Sequence, residues 1–217
     1  MKNGRESNSE ADAPEEGLDA FVSKVAAAAP LPGGGSVAAL AGALAAALGE
    51  MMAGLTEGRE KFLSVQLIAR DAHAKVAVLR DTLRALVSED AEAYRLLLNA
   101  LRMPRDTEEQ RIKRTEAVQC AVRGATDTPL RTARAAFEVL ECLRVLIEVG
   151  NPNARSDAAV GAQMAYASLK GAQYNVLTNI RALNDASFAG TCRAEISDLL
   201  ARGQETLRQI DAIITGH

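Results

Sequence analysis

The clearest chemical anomaly in this sequence is an aspartate inside an apolar helical stripe. Leu79, Leu83 and Leu86 recur at spacings of three and four, and the same register continues through Tyr94. Asp90 occupies the position between these two parts of the stripe. Burial would raise the pKa of its carboxyl group unless a cation opposed it, which makes Asp90 a candidate general acid and base. The alternative is that the helix phase drifts and carries Asp90 to the edge of the stripe, into solvent.

A second candidate is the glycine loop Gly33, Gly34, Gly35 and Ser36, which follows Pro32 and precedes an alanine-rich helical pattern. Three glycines let the backbone approach a neighbour closely, and Ser36 is a good N-cap residue. The N–H groups and positive dipole at such a helix start would bind a carboxylate, a phosphate or a carbonyl oxygen. A tight interhelical turn, in which the glycines only relieve crowding, explains the same pattern. The loop is neither a dinucleotide fingerprint nor a phosphate-binding P-loop.

Polar residues recur at two later places. The turn from Gly150 to Asp157 contains a helix C-cap glycine and two N-cap candidates, Ser156 and Asp157, so capping alone would account for it. Asn175 and Asn179 lie four residues apart and therefore share one helix face. Amides on an apolar helix are hydrogen-bonded either to backbone or to a ligand, and the sequence leaves both options open.

No stretch of the sequence shows the apolar–polar alternation of a β-strand, so we predict that the elements which position these residues are all helices. Glycine, proline and cap residues divide the chain into six predicted helices, at 18–29, 37–55, 60–102, 108–150, 158–183 and 186–215, with Asp106 or Thr107 as the cap of the fourth. Pro129 predicts a break or kink in the fourth helix near residues 126–128. We expect an all-α bundle of antiparallel helices with short connections.

The composition predicts one domain with a core of small side chains. Of 217 residues, 48% are hydrophobic and only 3% are aromatic, so alanine and aliphatic residues must fill the core. Residues 1–16 are polar and read as a disordered tail, which leaves 17–217 as the domain. A net charge of −3 disfavours nucleic acid as a partner.

The cysteines and histidines limit which kinds of catalytic or metal site the chain can contain. Cys120, Cys142 and Cys192 are odd in number and far apart, as expected for free thiols in a reducing compartment. With His73 and His217 as the only histidines, a histidine-based triad or a zinc site is nearly excluded, and we expect no metal.

The N-terminal residues and one long apolar stretch indicate where in the cell the protein is expected. The N-terminal residues are polar and acidic and lack the pattern of a signal peptide, so we expect a cytoplasmic protein. The stretch from Ser36 to Thr56 is long enough to cross a bilayer, but it is rich in alanine and glycine and is interrupted by Glu50. A buried core helix without membrane contact is the preferred interpretation.

Several of these motifs together resemble a known family. The motifs, in chain order, are Pro32-Gly-Gly-Gly-Ser-Val-Ala-Ala39, Asp90-Ala-Glu-Ala-Tyr94, Gly150-Asn151 with Ser156-Asp157, and Asn175-Val-Leu with Asn179. Over about residues 17–212 the chain resembles the cyclodeaminase/cyclohydrolase family. That family includes the C-terminal half of formimidoyltransferase-cyclodeaminase and free-standing bacterial methenyltetrahydrofolate cyclohydrolases.

The resemblance implies an all-α folate enzyme that works as a homodimer or an assembly of dimers, with a tetrahydrofolate derivative as substrate and no cofactor. It implies that Asp90 is catalytic and that the glycine loop lies at the active site. We expect the remaining matching residues to bind substrate, and basic residues near the polar turns to hold the anionic folate tail. The expected substrate-binding residues are Gly33, Gly34, Gly35, Ser36, Lys61, Asn151, Arg155, Ser156, Asp157, Asn175 and Asn179. Surface charge alone would equally explain Lys61 and Arg155.

Two reactions fit this resemblance. The first is cyclodeamination of 5-formimidoyltetrahydrofolate to 5,10-methenyltetrahydrofolate and ammonia. The alternative is hydrolysis of 5,10-methenyltetrahydrofolate to 10-formyltetrahydrofolate. The transferase half of the two-domain members has no counterpart in this sequence. A different hypothesis is that the protein is not an enzyme but a helical dimer that binds folate or a partner protein. The intact Asp90 argues against it, since a protein that only binds could lose that acid.

Overall fold

The computed structural model describes residues 17–216, and within that range it is all-α, with no strand. The predicted fold class is therefore confirmed, while the predicted tail at 1–16 lies outside the described residues. The six α-helices of the described part are α1 (Leu18–Ala26), α2 (Gly34–Thr56), α3 (Gln66–Leu101), α4 (Glu108–Val149), α5 (Arg155–Asn179) and α6 (Ala186–Thr215). Short 3-10 segments at Glu60–Val65, Pro152–Ala154 and Ile180–Ala182 adjoin α3 and α5.

The chain divides into two compact units, one ending at Pro32 and the other starting at Gly33. In the first unit, the described residues include α1, whose Leu18, Val22 and Val25 are all exposed. The second unit contains α2 to α6 and all the candidate site residues.

Helix α2 is the centre of the second unit because small side chains let other helices approach it closely. A Cβ on Gly42 would lie 2.8 Å from Ser168 Oγ on α5 and 2.9 Å from Leu83 on α3. A Cβ on Gly49 would lie 3.2 Å from Leu143 on α4. α2 thus packs against three helices at once. By length and composition it is the one described helix that could cross a membrane, yet half of its apolar window is buried inside the protein.

Helix α3 confirms the predicted stripe in its first half. Val76, Leu79, Leu83 and Leu86 are buried. The prediction that the helix starts at Glu60 is wrong, because residues 60–65 form a 3-10 segment with a non-helical Phe62, and the α-helix starts only at Gln66. Leu67, in the first turn of α3, is 76% exposed because it precedes the register that faces α2 and α4.

Helix α4 is continuous from Glu108 to Val149, so of the break or kink predicted near residues 126–128 the break is wrong. A proline inside a helix removes the N–H that would bond the carbonyl four residues earlier. Here that carbonyl belongs to Ala125, and it accepts a hydrogen bond of 2.6 Å from Asn179 Nδ2 on α5. A neighbouring helix therefore supplies the donor that Pro129 lacks. At its start, α4 is capped by Thr107, one of the two predicted cap residues, and Thr107 forms a capping box with Gln110.

Helix α6 has its predicted limits, Ala186–Thr215, and Asp185 caps it by accepting from the Phe188 N–H at 2.9 Å. It covers a second apolar cluster, formed with α4 and α5, that includes Phe137, Leu169 and Ile196. The first cluster lies between α2, α3, α4 and α5. Asp90, the candidate acid on α3, lies beside the N-terminal end of α2.

Candidate active site

The candidate site is built from two side chains that lie 54 residues apart in the sequence. Ser36, in the first turn of α2, is fully buried, and its Oγ donates a hydrogen bond of 3.0 Å to Asp90 Oδ2 on α3. Asp90 itself is only half-buried. Its carboxyl group therefore has one side anchored on the start of α2 and remains accessible from the other. The glycine loop and the candidate acid belong to one site.

Gly35 is required by this close approach. A Cβ on Gly35 would lie 2.5 Å from Asp90 Cγ and 2.7 Å from Oδ2, and closer still to Oδ1. No real side chain tolerates such distances, so the absence of a Cβ is what lets the carboxyl group reach the backbone. By contrast, a Cβ on Gly34 would meet nothing within 4 Å. Of these two glycines, only Gly35 is fixed by its contact with the acid.

The prediction that Ser36 is the N-cap of α2 is wrong. The N-cap is Gly33, the helix starts at Gly34, and Ser36 lies inside the first turn. The N–H groups of a first turn have no acceptor within the helix. The Asp90 carboxyl group lies at this end of α2, where the Ser36 hydroxyl donates to it and the Ser36 backbone N–H lowers its pKa. Asp90 therefore occupies the anion site at the start of α2, where the helix dipole also favours negative charge.

Opposing effects set the pKa of Asp90. Burial of the carboxyl group is the larger effect and raises its pKa above the usual value. The hydrogen bonds from the Ser36 hydroxyl and from the Ser36 backbone N–H lower it. Because burial prevails, the pKa of Asp90 lies above the ordinary aspartate value, which makes the carboxyl group a better proton acceptor than an exposed aspartate.

Asn175 and Asn179 lie toward the same end of the bundle. A Cβ on Gly171 would lie 3.1 Å from Ala38 Cβ, which places this part of α5 beside the start of α2. Asn175 Nδ2 donates to the Gly171 carbonyl at 3.0 Å, within its own helix. Asn179 is occupied by the Ala125 carbonyl, so its amide nitrogen has a structural partner.

The second polar turn lies at the opposite end of α2. Asn151 Nδ2 donates to the Leu55 carbonyl at 3.1 Å, and the Asn151 backbone N–H donates to Thr56 Oγ1 at 3.0 Å. Ser36 and Thr56 are twenty residues apart on one helix, which corresponds to about 30 Å. Within one chain, the structure does not bring Asn151 to Asp90.

The other residues predicted near this turn share its position. Arg155 Nε donates to the Ile147 carbonyl at 3.0 Å, and Ser156 and Asp157 are exposed in the first turn of α5. The N-cap of α5 is Ala154, so neither Ser156 nor Asp157 caps it. Lys61 is exposed in the 3-10 segment that follows α2, with its Nζ 4.7 Å from the centre of the Phe62 ring.

A large groove of about 940 Å³ between α3 and α4 was not predicted from the sequence. Its wall is mostly apolar, with Leu96 on α3, Met103 in the turn after α3 and Ala121 on α4, and it carries the acidic side chains Glu92 and Asp127. Asp90 does not line it. No group of three or more His, Cys, Asp or Glu residues suited to a metal ion occurs among residues 17–216.

The sequence could not reveal which residues support the site. Nothing in the spacing of Gly35 and Asp90 shows that they touch, because the two residues lie on different helices. The role of Thr56 as a partner of Asn151 is hidden for the same reason. The one available signal was that polar residues occur at both ends of an otherwise apolar α2.

Comparison with known proteins gives a consistent result. Residues 17–198 match the family model described as formiminotransferase-cyclodeaminase. A methenyltetrahydrofolate cyclohydrolase from Methylorubrum extorquens is 37% identical over 186 residues, covering 86% of this chain and 89% of that protein. The formimidoyltransferase-cyclodeaminase of Rattus norvegicus is 37% identical over 183 residues, covering 84% of this chain and 34% of that protein.

One solved structure extends the similarity to the fold. A formiminotetrahydrofolate cyclodeaminase from Thermotoga maritima has a TM-score of 0.84 and 26% identity, over 93% of this chain and 97% of that chain. This chain spans about a third of the length of the formimidoyltransferase-cyclodeaminases that it matches.

Proposed function

Because the chain belongs to the formiminotransferase-cyclodeaminase family, we propose that it is a folate one-carbon enzyme in which Asp90 is the general acid and base. The observation that carries this proposal is the half-buried carboxyl group held against Gly35 and Ser36, with its pKa raised by burial. Such a group is suited to passing one proton between two nitrogen or oxygen atoms. We further propose that the protein acts in the cytoplasm and needs no cofactor.

The first candidate reaction is cyclodeamination of 5-formimidoyltetrahydrofolate. N10 attacks the protonated formimidoyl carbon on N5 and forms a tetrahedral adduct. The Asp90 carboxylate takes the proton from N10 and then delivers it to the amino group. Ammonia leaves, and the positive charge remains on the 5,10-methenyl product, so that charge and atoms balance. The cyclodeaminase of similar fold and the two-domain relatives support this choice.

The second candidate is hydrolysis of 5,10-methenyltetrahydrofolate. The 37% identity to a cyclohydrolase along 89% of that protein's length favours it. Here Asp90 takes a proton from the water that attacks the cationic methenyl carbon and delivers it to N5 as the ring opens. The hydroxyl of the adduct releases its proton to solvent as the formyl C=O forms, so that charge and atoms balance. Both reactions use one folate site and differ only in the nucleophile and the leaving group.

Two spectroscopic assays separate the hypotheses. Formation of the near-ultraviolet absorbance of the methenyl group from 5-formimidoyltetrahydrofolate, with release of ammonia, would identify a cyclodeaminase. Loss of that absorbance from 5,10-methenyltetrahydrofolate, faster than without protein, would identify a cyclohydrolase. Binding of either folate without turnover would support the non-catalytic alternative and contradict the proposal.

The role of Asp90 is tested by Asp90→Asn. We expect turnover to fall by about 100-fold or more, the size of effect usual for loss of a general acid or base. The matched control is Glu92→Gln, which removes an exposed acid two residues further along the same helix, where Glu92 pairs with Arg95. If Asp90→Asn retained full activity, Asp90 would have no part in proton transfer.

A further inference from the structure

Tyr94 is the next residue of the apolar stripe of α3 after Asp90, and it lies where α2 no longer covers that stripe. The two helices are antiparallel, with Gly49 beside Val76 and Gly35 beside Asp90. The turn of α3 that follows Asp90 therefore extends beyond the first residue of α2. Whereas the stripe residues that α2 covers are buried, Tyr94 is 39% exposed. An aromatic side chain thus stands open one helical turn from the candidate acid.

Helix geometry directs the ring of Tyr94 toward the carboxyl group of Asp90. Residues four apart on a helix are neighbours on one face, with their Cβ atoms about 6 Å from each other. Long side chains also lean toward the N-terminus of their helix, so Tyr94 covers the turn that carries Asp90. The side of the Asp90 carboxyl group that Ser36 leaves accessible and the ring of Tyr94 therefore border the same space.

The face of the Tyr94 ring is free of any cation from the described part of the protein. Four other aromatic rings of the second unit each have a lysine or arginine between 3.8 and 5.6 Å from the ring centre, namely Phe62, Phe137, Tyr174 and Phe188. Among residues 17–216 no such cation lies over Tyr94, and its hydroxyl forms no hydrogen bond. The adjacent Arg95 is bound by Glu92. The ring is therefore available to a cation from outside the protein.

The substrates of both candidate reactions supply such a cation. In the protonated 5-formimidoyl and the 5,10-methenyl folates, the positive charge lies on the one-carbon group that reacts. A tyrosine ring within about 6 Å stabilises a cation over its face, which corresponds to about 2- to 30-fold in affinity. We propose that Tyr94 holds the cationic one-carbon group against its ring and so selects charged folates over uncharged ones. This assignment rests on the proposed function, in which Asp90 moves the proton.

The kinetic effect of Tyr94 differs from that of Asp90. In cyclodeamination the substrate already carries the charge and the product keeps it, and in hydrolysis the charge is lost when water attacks. The ring therefore stabilises the bound substrate rather than the transition state. Tyr94→Leu should raise KM about 10-fold without lowering kcat, whereas Asp90→Asn lowers kcat. An unchanged KM for Tyr94→Leu, or a loss confined to kcat, would overturn the assignment.

The selection for charge is tested by equilibrium binding in the Asp90→Asn background, where the folate is not consumed. The probes are 5,10-methenyltetrahydrofolate, a cation, and 5-formyltetrahydrofolate, which has the same rings and tail without that charge. Adding Tyr94→Leu should weaken binding of the cation about 10-fold and of the uncharged folate less than about 3-fold. Adding Tyr94→Phe, which keeps a ring, should change neither affinity by more than about 3-fold. Titration calorimetry at mildly acidic pH, where the methenyl group persists, measures each affinity.

The matched control is Leu96→Ala, which shortens a side chain that is 49% exposed on the groove side of α3 and should leave both affinities unchanged. Circular dichroism checks that each variant is folded. An equal loss of affinity for both folates, or a Tyr94→Phe variant as weak as Tyr94→Leu, would refute the role of the ring and leave the proposed function intact. A wild type that binds neither folate would refute the proposed function and this assignment together.

Discussion

At the scale of residues, the site depends on a contact between a carboxyl group and a backbone without a side chain. Gly35 leaves room for Asp90, and Ser36 binds the carboxylate through its hydroxyl and its N–H group. Serine, often a ligand-binding residue, here has the acid itself as its partner. We therefore regard Ser36 as a positioning residue that holds Asp90 and moderates its pKa.

Removal of the Ser36 hydroxyl should change the pH dependence of turnover. The hydroxyl stabilises the charged form of Asp90, so Ser36→Ala should raise the pKa of Asp90 further above its usual value. If the carboxylate is the form that starts the reaction, the acidic limb of the pH–rate profile should move to higher pH. Ser36→Thr, which keeps a hydroxyl, is the control. A lower rate with an unmoved acidic limb would show that Ser36 contributes only to packing.

The pKa of Asp90 also predicts a stability effect. Because the folded-state pKa is raised, protonated Asp90 stabilises the fold, and this contribution is lost as the pH rises through the folded-state pKa. At pH 7.5 the charged group is therefore costly, and Asp90→Asn should melt at a higher temperature than the wild type. The difference should shrink as the pH falls toward the ordinary aspartate value of 3.8. A less stable Asp90→Asn at pH 7.5 would mean that the hydrogen bonds from Ser36 outweigh the cost of burial.

At the scale of elements, each long helix depends on groups supplied by another. Pro129 lies within α4 without breaking it because Asn179 on α5 satisfies the Ala125 carbonyl. The C-terminal end of α2 is held in the same way, through Asn151 and Thr56. The Asn179 bond ties α5 to α4, and the Asn151 bonds tie the turn between these two helices to the C-terminal end of α2.

The Asn179 contact should show coupling to Pro129. Asn179→Ala leaves the Ala125 carbonyl without a donor and should cost about 1–3 kcal/mol of unfolding free energy. In a Pro129→Ala background, residue 129 regains its N–H, so the same change should cost clearly less. Urea unfolding of the four proteins of this cycle gives the coupling energy. Asn175→Ala, which removes a bond within one helix, serves as the control, and equal costs in both backgrounds would contradict this explanation.

At the scale of the whole molecule, small residues on α2 and α5 let the helices of the second unit pack closely. Leu143 on α4 lies 3.2 Å from the position of a Cβ on Gly49 and 3.4 Å from that of a Cβ on Gly161. One leucine thus fills the space that two glycines leave on two other helices. This packing holds α2 in the centre and so fixes both of its polar ends.

Truncation of Leu143 should therefore destabilise the entire unit. Leu143 is fully buried, and Leu143→Ala should cost about 2–5 kcal/mol, the range for a large-to-small change in a core. Leu67→Ala removes the same atoms from a side chain that is 76% exposed and should be nearly neutral. Denaturant unfolding measures both. Similar costs for the two variants would contradict the packing described here.

The sequence by itself determined the helical class, most of the helix limits and the two components of the site. Periodicity and caps are local properties, so α6 and the start of α4 were predicted correctly. The anomaly of Asp90 was visible because an acid in an apolar register needs no structure to be noticed.

Only the tertiary structure decided what those components touch. Asp90 meets Gly35 and Ser36 because α3 packs beside the start of α2, and Pro129 is tolerated because α5 supplies a donor. The tertiary structure also placed Asn151 and Asp157 at the C-terminal end of α2, about 30 Å from Asp90. The sequence motifs had grouped these two residues with Asp90 in one expected site. The physical reason is that contacts between helices depend on packing across the bundle, which the spacing of residues along one chain does not encode.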